Sequence, residues 1–92
     1  MAGSGLVFVS HEVKDFDAWK KGYDADKPNR DKVGLVELAL GRDATKANVV
    51  LIAFQAPNVE AAQAFAANPA LKEAMMAAGV IGMPDMKIGN AV

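Results

Sequence analysis

Two periodicities divide the chain. "LVFVSHEV" (6–13) and "VVLIAFQ" (49–55) are short, branched apolar runs and predict strands. In the second, Val49, Leu51 and Ala53 point one way while Val50, Ile52 and Phe54 point the other, so both faces are apolar. "VGLVELAL" (33–40) and "MPDMKIGNAV" (83–92) predict two further strands, and Gly34, Glu37, Pro84 and Lys87 suit them to sheet edges. "GRDATKAN" between the second and third strands is turn-rich and predicts a hairpin. Elsewhere the spacing is helical. In "DFDAWKKGYDADK", Asp15 is a cap, Phe16, Trp19 and Tyr23 share a stripe, and Lys20 and Lys21 face solvent. Gly22 weakens that helix by up to ~1 kcal/mol relative to Ala, and Pro28 is expected to end it. In "APNVEAAQAFAAN", Asn58 caps a second helix, Glu60 sits in its first turn, and Val59, Ala62, Phe65 and Ala66 share a face. Asn68 and Pro69 start a short third helix that runs to Gly79 and continues the apolar side through Leu71, Met75 and Ala78.

The order strand, helix, strand, strand, helix pair, strand is the ferredoxin-like βαββαβ pattern, an α+β class. With right-handed crossovers the four-stranded antiparallel sheet runs 4-1-3-2 and all helices lie on one face. The other face is then bare. Leaving its apolar side chains in water would forfeit ~1.5–3 kcal/mol each, against a total domain stability of ~5–15 kcal/mol. A second copy packing sheet against sheet is the simplest cover, so a homodimer is expected, with the face that meets the partner left open. Residues 6–92 form one domain, without an internal repeat, and "MAGSG" (1–5) reads as a disordered start.

Composition narrows the partners. Of the 92 residues, 52% are hydrophobic and 23% charged, which fits a folded domain rather than a disordered one. Ten Lys and Arg stand among eleven Asp and Glu, so no basic field draws nucleic acid or anionic lipid. The central strands also supply aliphatic residues where an RNA-recognition sheet needs basic and aromatic ones. No apolar run approaches the ~20 residues of a spanning helix, so no membrane association is expected. Cysteine is absent, which removes disulfides and thiolate chemistry and makes the cytoplasm the default location.

The stretch "VKDFDAWKKGYDADKPNR" (13–30), with the element order around it, resembles the strand-to-helix segment of uncharacterised members of the dimeric α+β barrel superfamily. That group pairs two ferredoxin-like subunits and includes antibiotic-biosynthesis-type monooxygenases, haem-degrading relatives and muconolactone-isomerase-like enzymes. The resemblance implies a homodimeric α/β barrel. Its monooxygenase-like and haem-degrading members place a Trp with Asn or His partners around the second helix, whereas this chain has Phe65, Gln63 and Asn68 there. Those active sites do not carry over.

Candidate chemistry comes from the residues themselves. His11, the one histidine, shares a strand face with Val7, Val9 and Val13; it reads either as a general base near neutral pH or, more commonly, as a buried, hydrogen-bonded structural histidine. A metal site would need His11 with Glu12, Glu37 or Asp85, a thin donor set, and none is expected. Trp19, Tyr23 and Phe65 can roof a cavity between helices and sheet or simply fill the core. The alanines of the second helix permit close packing or a void. Arg30 can clamp a ligand carboxylate, although a surface ion pair with Asp24 or Asp26 is the commoner role. Met75, Met76, Met83 and Met86 can line an adaptable pocket or fill the core.

Two functions follow. One is a small enzyme without a bound cofactor, of monooxygenase, cyclase or isomerase type, acting on a hydrophobic small molecule with His11 as base and Trp19, Tyr23, Arg30 and Phe65 positioning substrate. The other is a noncatalytic small-molecule-binding or regulatory dimer.

Overall fold

The computed structural model describes residues 4–92, apart from the side chains of Ala70 and Met83. Strand β1 (Gly5–Val13) leads through helices α1 (Phe16–Ala25) and α2 (Lys27–Lys32) to β2 (Val36–Arg42) and β3 (Val49–Ala56). Helices α3 (Val59–Ala67) and α4 (Pro69–Ala77) then return the chain to β4 (Val80–Asn90). The strands form one antiparallel sheet in the order β2-β3-β1-β4. The two strands richest in branched residues are central, paired with Val7 opposite Phe54 and Val9 opposite Ile52.

Strict alternation on this central pair makes two unlike faces. Val7, Val9, His11 and Val13 of β1, with Val50, Ile52 and Phe54 of β3, are buried beneath the helices. Phe8 and Leu51 stand on the opposite face, 48% and 42% exposed. Trp19, Leu35 and Ala62 complete the core on the helical side.

Caps and close approaches fix the helices. Asp15 Oδ1 accepts from the Asp17 amide at 3.0 Å, and Asn58 Oδ1 accepts from the Ala61 amide at 2.7 Å. The small residues of α3 let it sit tightly on β1. A Cβ on Gly5 would lie 2.6 Å from the Asn58 carbonyl oxygen and 3.2 Å from the Ala62 Cβ.

Several boundaries differ from the sequence expectation, each for a local reason. Of the expected disordered start, residues 1–3 lie outside the described residues, whereas Ser4 is buried and Gly5 opens β1. Pro28 does not end the helical path; it sits in the first turn of α2, where its missing N–H forfeits no bond. Strand β2 starts at Val36 rather than 33, because Gly34 turns the chain at φ +77° and the Leu35 amide still donates to the Arg30 carbonyl. Strand β4 starts at Val80 rather than 83.

Two irregularities shape the sheet. In β2 the register shifts between Glu37 and Ala39, leaving Leu38 surplus. Glu37 therefore lies opposite Phe54 on the helical side, while Val36 and Leu38 are more than half exposed. In β4 the register with β1 shifts opposite His11, where three residues, 82–84, span the place of one, and Gly82 adopts φ +70°.

Candidate functional site

Between the helices and the sheet lies a cavity of about 340 Å³. His11, Trp19, Tyr23, Arg30 and Phe65 all line it. The fold thus gathers in one place the five residues read from the sequence as base or ligand-positioning groups.

Helical spacing on α1 sets Trp19 and Tyr23 one turn apart on the sheet-facing side. Their rings stack, with centroids 4.8 Å apart and planes at 23°. The edge of the row is His11, whose ring meets Trp19 edge-on at 5.4 Å. At the other end the Arg30 guanidinium lies 3.8 Å over the Tyr23 ring, a cation–π contact. Phe54 continues the apolar wall from Tyr23 to Phe65, at 6.4 and 6.1 Å.

His11 is only 5% exposed, and neither ring nitrogen has a hydrogen-bond partner among the described residues. The histidine is thus buried but lacks the bond that a structural role ordinarily supplies; a buried polar group left so costs ~1–3 kcal/mol. Burial holds its pKa below the ordinary histidine value, which keeps the ring neutral near pH 7. On the backbone, His11 pairs with Val50 of β3 and lies opposite the irregularity in β4.

Tyr23 donates from its hydroxyl to Glu37 Oε1 at 3.1 Å, a contact made possible by the surplus residue in β2. Burial, reinforced by the negative charge of Glu37 and opposed by Arg30, raises the phenol well above its ordinary pKa. It remains a donor.

Arg30 forms the ion pair expected with Asp26, but from a buried position rather than on the surface. It is 9% exposed, donates from Nη1 to the Tyr23 carbonyl at 2.8 Å, and stands 3.9 Å from Asp26 Oδ2. The packing of α2 against α1, which places this side chain inward, has no signal in the local sequence. Asp26 was weighed only as an ion-pair partner and lines the cavity as well.

The remaining wall was partly legible. Leu71, Ala74, Met75 and Ala78 of the last helical stretch recur at helical spacing and line the cavity, as does Met86. Met76 is 66% exposed, and the Met83 side chain lies outside the described residues. Gly22, read from sequence only as a weak point of α1, opens that helix toward Ala78. Phe65 reaches the cavity from α3, whereas Gln63 and Asn68 of the same stretch are exposed. The donors weighed for a metal stand apart: Glu12 and Asp85 belong to the opposite sheet face, and no group of three His, Asp or Glu suited to a metal occurs among the described residues.

On that opposite face a shallower concavity of about 440 Å³ is floored by Phe8, Ser10, Ala39, Gly41, Leu51 and Ala53, with Asp85 and Lys87 at one side. Val9 and Ile52 border both hollows. No helix among the described residues is long and apolar enough to cross a membrane.

No protein-family model matches the sequence, and no curated protein matches it. Solved structures do match in shape. A protein from Caulobacter crescentus provisionally assigned as an antibiotic biosynthesis monooxygenase superposes with a TM-score of 0.75 at 18% identity, over 99% of this chain and 92% of that one. One similarly assigned from Bordetella bronchiseptica gives 0.76 at 14% identity, over 98% of each. SnoaB, a cofactor-independent oxygenase from Streptomyces nogalater, gives 0.75 at 15% identity, over 99% of this chain and 95% of SnoaB. By fold, a ferredoxin-like α+β architecture, this chain is similar to these antibiotic-biosynthesis-monooxygenase-type and oxygenase structures.

Proposed function

We propose that the protein is a homodimeric, monooxygenase-like enzyme that takes a hydrophobic, aromatic small molecule into the cavity and works without a bound cofactor. The observation that carries this reading is the buried His11 ring, whose two nitrogens have no partner among the described residues, lining an aromatic-walled hollow of about 340 Å³. A neutral imidazole there can take a proton from an activated O–H or C–H of the ligand. That step is shared by oxygenase, cyclase and isomerase chemistry on enolisable or phenolic compounds. Trp19, Tyr23 and Phe65 supply the aromatic wall against which such a compound packs.

The homodimer is supported by the sheet's second face. Phe8, Leu51 and Ile81 are 48%, 42% and 48% exposed on it. Phe8 and Leu51, together with Ala39 and Ala53, form a patch that a second copy, pairing through a two-fold axis, would cover.

The test is oxygen uptake over a panel of hydroxylated polycyclic aromatics, with His11→Ala beside the parent protein. The enzyme reading expects uptake with at least one compound and a fall of roughly 10²–10⁴-fold in His11→Ala, with binding retained. Binding without uptake in either protein would favour the noncatalytic reading, in which the same cavity serves as a ligand-binding or regulatory site.

A further inference from the structure

Arg30 is a cationic group with more hydrogen-bonding capacity than its surroundings use. A guanidinium carries five N–H donors, and one hydrogen bond from it, Nη1 to the Tyr23 carbonyl, is formed among the described residues. Asp26 Oδ2, at 3.9 Å, is beyond hydrogen-bonding distance, and the other Asp26 oxygen accepts from Asn29 Nδ2 at 2.7 Å. The charge is nevertheless nearly buried, with one face laid on the Tyr23 ring. Asp26 offsets the charge at ion-pair distance but accepts no hydrogen bond from it, so most of the guanidinium N–H groups are left for another acceptor, and Arg30 borders the cavity.

The position of this charge relative to His11 gives the missing group a shape. Contacts run in sequence from His11 to Trp19, from Trp19 to Tyr23 and from Tyr23 to Arg30. The two polar groups therefore terminate a row of ring contacts, His11 against Trp19 and Arg30 against Tyr23. One end offers neutral imidazole nitrogens; the other offers fixed positive charge.

Resting on the reading of the cavity as a ligand site, we propose that its ligand is a planar anion: an aromatic body along Trp19 and Tyr23, a carboxylate-like group held by Arg30, and a hydrogen-bonding group at the far end toward His11. Guanidinium and carboxylate match as a fork to a fork, which a lysine or a neutral amide at either partner would not reproduce.

Two probes of nearly equal shape isolate the charge: 2-naphthoate and naphthalene-2-carboxamide, titrated calorimetrically into the full chain. The indole N–H resonance of Trp19, the chain's one tryptophan, reports that the probe reaches the cavity. The expected result is binding of naphthoate about tenfold or more tighter than the amide. In Arg30→Met, which keeps an apolar stem against Tyr23, that preference falls below about twofold while amide affinity is kept. The comparison within the parent protein stands even if the variant does not fold. Equal affinities for the two probes would overturn the anion while leaving an apolar ligand site in place, and so would a preference that survives in folded Arg30→Met. Failure of both probes to move the Trp19 resonance at millimolar concentration would overturn the anion and the ligand site together.

Discussion

Protonating His11 would place a charge on a ring that is 5% exposed and meets no acceptor among the described residues. Its folded pKa lies below the ordinary 6.5 that it recovers on unfolding, with burial as the cause. Between those two values the unfolded chain binds more protons, so stability rises with pH through that window, is complete above it, and is lost as pH falls below 6.5. Chemical denaturation at pH 7.5 and pH 5 should give a lower midpoint at pH 5, and His11→Leu should remove most of that drop. An equal drop in the variant would assign it to other groups. At this scale the sequence was informative about identity and weak about surroundings. Branched neighbours at 7, 9 and 13 placed His11 on the buried face, but whether its ring would find a partner among the described residues depends on what the tertiary fold packs against it. Arg30 shows the same limit: a charged residue beside acids reads as surface, and only the packing of α2 on α1 makes it interior.

Two glycines separate packing from space at the level of elements. Gly22 is helical, and a Cβ there would meet the Ala78 Cβ at 3.6 Å, an ordinary contact. Gly22→Ala should therefore raise stability by up to ~1 kcal/mol. Gly5→Ala should lower it by roughly 1–3 kcal/mol, because the new atom would press on backbone at the start of α3. Urea midpoints of the two variants, moving in opposite directions, check both expectations; movement in the same direction would mean that the α3 contact does not control the sheet-to-helix distance. The elements themselves were legible wherever the pattern was strong. Branched runs identified β1 and β3, and Asp15, Asn58 and Pro69 marked the helix starts. Edges were less so, because turns at Gly34 and Gly79 set strand starts a few residues from the expected positions without changing the apolar pattern. The surplus Leu38 is the clearest case. Simple alternation puts Val36 and Leu38 inside and Glu37 outside, and the observed ladder does the reverse for Glu37, bringing it to the Tyr23 hydroxyl.

For the whole molecule, the sequence could state that a chain this small has an apolar sheet face to spare, but not which set of residues occupies it. The structure assigns Leu51 to the open face and Ile52, 6% exposed, to the helical one. Under the proposed pairing, Leu51→Asp should give a folded monomer by light scattering at micromolar concentration, whereas Ile52→Asp should fail to fold. A folded dimer from Leu51→Asp would refute the pairing. The sheet is also a party wall one peptide thick, with Val9 and Ile52 bordering the hollow on either side. Random mutagenesis selected for lost assembly and, separately, for lost small-molecule uptake should accordingly return distinct sets centred on Leu51 and on Trp19, with Val9 and Ile52 as the shared tenants of both.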